Sequence, residues 1–109
     1  MALTYKNARQ AVGTSYTRIY LCPAATQAVV VAVQAANVHS TNTATISLQW
    51  LDSSASGAAT RLISAFPIPI NDAQSLLAGP LVLEAGDELQ ALASATSSLE
   101  LSVSVTEIT

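Results

Sequence analysis

The chain has 109 residues, of which 50% are hydrophobic, 10% are charged and 24 are Ser or Thr, with a net charge of −3. This length predicts one domain with a core that needs no metal or disulfide, and the acidic balance argues against nucleic-acid binding as the main task. Ordinary domains carry about 25% charged residues, which keep a freestanding surface soluble. The shortage of charge therefore predicts that much of the surface contacts other protein.

Residues 1–14 show no sustained hydrophobic period and predict an extended, polar N-terminal arm. Lys6 and Arg9 make this segment basic, and its first residues lack the apolar stretch of a secretory signal. Such arms can be disordered or can lie across a neighbouring subunit. Leu3 and Tyr5 are its expected anchors, because large side chains, aromatic ones above all, often dominate interface energetics.

Residues 15–109 are predicted to form the domain, beginning with strands. Residues 15–22 are rich in aromatic and β-branched side chains. Residues 27–38 centre on three valines, which lose side-chain freedom in a helix, and predict a strand buried on both faces. Residues 43–51 alternate between apolar and polar side chains, as expected of a strand with one buried face. Its predicted inward side chains are Ala44, Ile46, Leu48 and Trp50.

A loop of small residues, 52–59, and a short strand, 60–65, precede a proline-rich stretch. Pro67 and Pro69 each fix their own φ and push the preceding residue out of the helical region. Proline also removes a donor that a central strand needs. We therefore expect residues 66–70 to form an edge strand or a crossover between sheets.

Two short strands, 81–83 and 87–93, flank a Glu-Ala-Gly turn. This pattern predicts a hairpin in which Gly86 is free to adopt a positive φ. The turn also concentrates acidic side chains, Glu84, Asp87 and Glu88, which are expected to be solvated because turns favour Gly and Asp.

The last predicted strand starts at Leu99 and alternates regularly. Leu101, Val103 and Val105 are predicted to face inward. Ile108 breaks that alternation and predicts a bulge or strand end near residues 106–107. Seven or eight short strands without a convincing helix predict an all-β fold, a single antiparallel β-sandwich of immunoglobulin-like or jelly-roll topology.

No combination of residues predicts catalysis. His39 is the only histidine and Cys22 the only cysteine, and the 16 residues between them supply neither a nucleophile–base pair nor a zinc ligand set. Cys22 is expected to be a small buried side chain in a protein made in a reducing cytoplasm. The acidic turn lacks the oxygen ladder of a calcium loop. We therefore expect no enzyme activity, no cofactor and no metal.

Charge is distributed unevenly along the chain. The first 51 residues contain three basic residues and no acidic one, whereas the remainder contains one basic residue and all seven acidic ones. The two halves can complement each other within one molecule or between neighbours; chance scatter of so few charges is the alternative. The predicted protein–protein interface comprises Leu3, Tyr5, Lys6, Arg9 and Arg18.

Three stretches carry a resemblance to a known group of proteins. A Tyr-x-x-Pro-Ala turn at residues 20–24 leads into a strand that ends near Asn37. Residues 79–91 contain a Leu-Val-Leu-Glu-Ala-Gly-Asp run, and residues 99–108 end in Val-Thr-Glu-Ile. In these features residues 16–108 resemble small virion structural proteins of tailed bacteriophages.

The resemblance implies a β-sandwich that belongs to an assembled particle and has no catalytic role. Its first implication is a capsid decoration, or cement, protein that stabilises the shell because it binds only the assembled lattice. The implied partners are copies of itself, as homodimer or homotrimer, and the major capsid protein or other virion proteins, with no nucleic acid or membrane. The implied location is the virion, after synthesis in the host cytoplasm.

Two alternatives remain open at this point. The first is a neck, tail or fibre-associated adaptor of the same fold, which differs from a decoration protein in copy number and symmetry. The second is a carbohydrate-binding module, which would need exposed aromatic side chains. Trp50 argues against the second alternative, because it alternates in phase with the predicted core.

Overall fold

The structure, a computed structural model, describes residues 2–39 and 41–109. Over these residues the chain forms β-strands and one short 3-10 helix, Ser53–Ala55. No described helix is both long and apolar enough to cross a membrane. The nine described strands are β1 (Leu3–Val12), β2 (Thr17–Leu21), β3 (Gln27–Asn37), β4 (Ala44–Asp52), β5 (Ala58–Ile68), β6 (Ala73–Ser75), β7 (Leu81–Leu83), β8 (Glu88–Ala93) and β9 (Leu99–Ile108).

The strands form two antiparallel sheets that enclose one core. The first sheet has the order β1-β9-β3, and the short strands β6 and β7 pair with separate parts of the far side of β3. The second sheet has the order β2-β8-β4-β5. This architecture confirms the predicted all-β antiparallel sandwich, with nine described strands where seven or eight were expected.

The path of the chain distinguishes between the two topologies that the sequence left open. The strands β1 to β4 alternate between the sheets, and the first strand pairs with the last. In an immunoglobulin sandwich the first two strands lie in the same sheet. The strand order here is that of a jelly roll, in which the chain winds back and forth between two sheets.

The first strand replaces the arm predicted over residues 1–14. Residues 3–12 form β1 and pair with β9 along their whole length, so the sandwich begins inside the segment expected to lie outside it. The inward positions of β1 are Thr4, Lys6, Ala8, Gln10 and Val12. Because three of these five side chains are polar, the sequence of β1 shows no apolar alternation.

The core consists of side chains from alternate positions of both sheets. In the first sheet, β9 contributes Leu99, Leu101, Val103 and Val105, none more than 3% exposed. In the second, β4 contributes Ala44, Ile46 and Leu48, with Trp50 partly buried against them. Burying each Leu, Ile or Val contributes about 1.5–3 kcal/mol, so these alternations stabilise the two strands in the predicted orientation.

The valine-rich strand β3 differs from the prediction that both of its faces are buried. Val30 and Val33 face the core and are fully buried, but Val31 is 54% exposed. A register shift against β9 between Val30 and Ala32 marks a bulge at this point. A bulge inserts one residue on one strand, and here the two consecutive residues Val31 and Ala32 are both exposed on the outside of the first sheet.

The segments on either side of the acidic turn do not form the predicted hairpin. β7 pairs with β3 in the first sheet, whereas β8 pairs with β2 and β4 in the second. The residues between them therefore carry the chain from one sheet to the other. Gly86 adopts a φ of +88°, and a Cβ there would lie 2.9 Å from the hydroxyl oxygen of Ser53.

The proline-rich stretch lies at the edge of a sheet, where a missing backbone donor is tolerated. Among the described strands, β5 pairs only with β4 and forms an edge of the second sheet, so Pro67 leaves no central ladder incomplete. Before β5, the predicted small-residue loop contains the 3-10 helix, which Asp52 caps by accepting a hydrogen bond from the backbone of Ser54.

Candidate assembly surface and the buried carboxylates

The solvent-facing side of the first sheet, which we call the outer face, carries a group of apolar side chains. Residues paired across an antiparallel sheet project from the same face. One such row runs through Tyr5, Thr106, Val29 and Val82, and the adjacent row runs through Leu3, Ile108 and Gln27. We define the apolar patch as Leu3, Tyr5, Val29, Val31, Val82 and Ile108.

The apolar patch is largely exposed to solvent. Tyr5 is 78% exposed, Val82 61%, Val31 54% and Leu3 53%. Neither of the two rows contains a charged side chain. Clustered exposed apolar side chains mark sites of protein interaction more often than scattered ones do. The patch is therefore the candidate assembly surface.

Three of the five residues predicted as interface residues lie on the outer face. Leu3 and Tyr5 belong to the patch, and Arg9 lies further along the same side of β1. Sequence reasoning missed Val31 and Val82, because the face of an apolar run that stays exposed depends on how distant strands pair. The interface role of the predicted residues stays a prediction.

The other two predicted residues form ion pairs within the molecule. Lys6 faces inward from β1 and lies 3.0 Å from the carboxylate of Glu107. Arg18 lies on β2 in the second sheet, and its Nε donates a 3.0 Å hydrogen bond to Glu88. The Arg18 guanidinium holds the pKa of the Glu88 carboxyl below its usual value. Both contacts match the expectation that basic and acidic halves complement each other within one molecule.

Glu107 occupies a buried inward position near the end of β9. It is 5% exposed, and it accepts a 2.5 Å hydrogen bond from the hydroxyl of Tyr20 in addition to the Lys6 contact. The Tyr20 hydrogen bond and the Lys6 ammonium hold the pKa of Glu107 below its usual value despite burial. β9 keeps its register with β1 here, so the predicted bulge is absent, and the strand ends at Ile108, one residue beyond the predicted position.

Asp87 is also buried, although the sequence predicted a solvated turn. It is 1% exposed. Its carboxylate accepts hydrogen bonds from the backbone amides of Glu84 at 2.9 Å and Ser53 at 3.0 Å, and from the indole of Trp50 at 3.2 Å. Burial alone would raise the pKa of Asp87, but these hydrogen bonds together hold it below its usual value. Asp87 thus fastens the crossover between the sheets to the end of β4.

Two members of a group of three carboxylates have such structural contacts. Asp52, Glu84 and Asp87 bring oxygen atoms within 4.8 Å of one another. Asp87 is satisfied as described, and Asp52 accepts hydrogen bonds from the backbone and the hydroxyl of Ser54. The carboxylates of Asp52 and Asp87 therefore stabilise the backbone around the turn.

Cys22 and His39 likewise have local structural roles. Cys22 is 1% exposed and its thiol donates to the carbonyl of Thr26 at 3.3 Å. Burial raises the pKa of the Cys22 thiol, which makes it a poor nucleophile. The Nδ1 atom of His39 accepts hydrogen bonds from the backbone amides of Thr41 and Asn42, each at 3.1 Å. Both side chains therefore stabilise turns of the backbone.

By its fold the chain is a jelly-roll sandwich, and the outer face of its first sheet is apolar and exposed. No protein-family model and no curated protein matches the sequence. A solved structure from Bacillus, described as an endospore appendage of a family of disulfide-linked pili, is similar with a TM-score of 0.58. The match covers 99% of this chain and 87% of the other at 10% identity, which shows a common fold.

Proposed function

We propose that this chain is a non-enzymatic structural subunit that works within a protein assembly. The observation that carries the proposal is the apolar patch, in which Leu3, Tyr5, Val31 and Val82 are each more than half exposed. Covering apolar side chains with another protein lowers the free energy, whereas covering unpaired charged side chains raises it. The outer face of the first sheet is the surface through which this subunit assembles.

Composition and fold support the same proposal. A chain with only 10% charged residues has few charges to keep its surface hydrated. The Bacillus protein that shares the fold is described as building pili linked by disulfides. The one cysteine here, Cys22, is buried and engaged in the fold, so the proposed assembly does not rely on a disulfide through Cys22.

Within this class we propose the decoration protein of a tailed-phage capsid, made in the host cytoplasm and located on the virion. The support is the sequence resemblance over residues 16–108. Its partners would be further copies of itself and the major capsid protein or other virion proteins. Trp50 offers no platform for the carbohydrate-binding alternative, because it is partly buried and its indole donates to Asp87.

The assembly proposal is tested by placing charge in the apolar patch. Val31→Lys and Val82→Lys should leave the fold intact and reduce the assembled fraction, measured by sedimentation velocity and negative-stain electron microscopy. The matched control is Val38→Lys, because Val38 is also 54% exposed but follows the end of β3, outside the patch. Normal assembly of both patch variants would contradict the proposal.

The decoration role is tested on particles. Quantitative mass spectrometry of purified virions should find the chain at a copy number comparable with that of the major capsid protein. A small copy number set by tail or neck symmetry would support the adaptor alternative. Absence of the chain from purified virions would contradict both roles. Assembly through the patch would still be tested separately by the lysine variants.

A further inference from the structure

The four edges of the two sheets differ in how well they could pair with another strand. β2 has five residues and a register shift between Arg18 and Tyr20, and β6 and β7 have three residues each. β5 carries Pro67, two register shifts and a positive φ of 50° at Ala65. Such interruptions are the usual protection of sheet edges against further pairing.

β1 is the exception among the described edge strands. It has ten residues, no proline and no register shift against β9. An edge strand of this length and regularity is a template for an additional strand. The free side of β1 is therefore better suited to pair with another strand than the other described edges are.

The backbone groups on the free side of β1 follow from the pairing with β9. Ala2 and Thr109, at the end of that ladder, exchange two backbone hydrogen bonds of 3.0 Å each. Hydrogen-bonded pairs alternate along antiparallel strands, so the even-numbered residues of β1 bond to β9. The residues whose backbone groups face the free side are Leu3, Tyr5, Asn7, Arg9 and Ala11.

We propose that β1 pairs antiparallel with β1 of a second copy of this chain, about a two-fold axis at Asn7. The two first sheets then form one continuous sheet, joined by about ten main-chain hydrogen bonds. Leu3 lies opposite Ala11 of the second copy, and Tyr5 lies opposite Arg9 of the second copy. This inference deepens the proposed function and rests on it, since it names the partner of a subunit that assembles.

Charge selects this register among those that the backbone allows. An axis at Arg9 would place two like charges directly opposite each other, which destabilises a strand pair. An axis at Lys6 would leave Ala11 without a partner residue in β1 and shorten the pairing. An axis at Asn7 instead places each Arg9 guanidinium beside the ring of Tyr5, which is 78% exposed in one copy. Arginine over a tyrosine face is a favourable cation–π pair.

Two further features favour the axis at Asn7. An axis at Ala8 would leave Leu3 without a partner residue and shorten the pairing. Lys6, which lies diagonally across from its counterpart, is neutralised within its own copy by Glu107 at 3.0 Å. The axis is perpendicular to the sheet, so the apolar patches of both copies face the same side and together present a larger surface to a third protein.

The register is tested by oxidative cross-linking of Asn7→Cys. Across the axis the two Cα atoms would lie about 5.5 Å apart, within the range that a disulfide spans. Mild oxidation should give a disulfide-linked dimer, while Cys22 stays buried. The matched control is Ala11→Cys, which is equally exposed on the same edge, but whose counterpart would lie about 27 Å away.

A second variant, Asn7→Pro, removes a donor that faces the free side and leaves the β1–β9 ladder intact. Two hydrogen bonds at the axis are lost, so the dimer dissociation constant should rise by more than about tenfold. Sedimentation velocity over a concentration series measures this change, and thermal unfolding followed by circular dichroism verifies the fold. Unchanged dimerisation of this folded variant would overturn the proposal.

The remaining outcomes separate the two proposals. Cross-linking of Ala11→Cys as fast as Asn7→Cys would overturn the register. Assembly that is sensitive to Val82→Lys, without cross-linking of Asn7→Cys, would overturn pairing through β1 and leave the proposed function in place. A chain that stays monomeric at every concentration and is absent from particles would overturn both.

Discussion

Asp87 and Glu107 are both buried carboxylates, but different kinds of groups hold them. Backbone amides of the crossover turn hold Asp87, together with one indole. The side chains of Tyr20 and Lys6 hold Glu107, and the Lys6 side chain is 51% exposed. The comparison shows that the connection between the sheets is fixed by the main chain, whereas β1 is attached partly through a flexible side chain.

The largest effect is expected from Asp87→Ala. The substitution leaves the amides of Ser53 and Glu84 and the indole of Trp50 without their acceptor, at a cost of about 3 kcal/mol in the free energy of unfolding. Urea denaturation followed by tryptophan fluorescence measures this loss. Asp87→Asn should lose less, because one oxygen remains to accept hydrogen bonds. A loss of less than about 1 kcal/mol in the alanine variant would show that water replaces the carboxylate.

A smaller effect is expected from Glu107→Gln. The amide oxygen can still accept from Tyr20, but it no longer attracts Lys6, so the free energy of unfolding should fall by about 1–2 kcal/mol. The matched control is Glu100→Gln on the same strand, because Glu100 faces solvent from the outer face. The control should stay within about 0.5 kcal/mol of the unsubstituted chain. Equal losses in the two variants would remove the distinction between the buried and the exposed glutamate.

Acid should weaken both buried contacts. The pKa values of Asp87 and Glu107 are held below their usual values in the folded chain, so the unfolded chain binds more protons as pH falls. Their contribution to stability is present above the ordinary carboxyl range, near pH 4, and is lost progressively below it. Urea midpoints between neutral and acidic pH should show this loss, and Glu107→Gln should lessen it. If the Glu107→Gln variant is as sensitive to acid as the unsubstituted chain, other carboxyls cause the loss of stability.

Local alternation made part of this structure predictable. In β4 and in residues 99–105 of β9 the predicted inward positions are apolar, and the predicted faces are the observed ones. The same rule failed where an inward position is polar, as at Lys6 in β1 and at Glu107 in β9. Glu107 keeps the two-residue phase of Val105, and that phase is the signal that could have placed it inside.

Pairing between distant strands accounts for the rest. The segments before and after Gly86 read as a hairpin because they are short and adjacent, but they join different sheets. The sequence around Asp87 does not indicate that Trp50 and Ser53 contact its carboxylate. Likewise, Val31 is exposed because only one face of β3 covers the core, so the apolar patch required the three-dimensional structure.

The smallest expected effect is that of Lys6→Met, and it sharpens the contrast between the fixed crossover and the attached edge strand. The free energy of unfolding should change by less than about 1 kcal/mol, because the Lys6 side of the ion pair is 51% exposed and methionine keeps the apolar stem. Glu107 then keeps only its bond to Tyr20, so the backbone amides of residues 3–12 should exchange hydrogen faster while those of β4 do not. Lys6→Arg, which preserves the charge, should show normal exchange. Equal protection of β1 in both variants would mean that its pairing with β9 alone secures the strand.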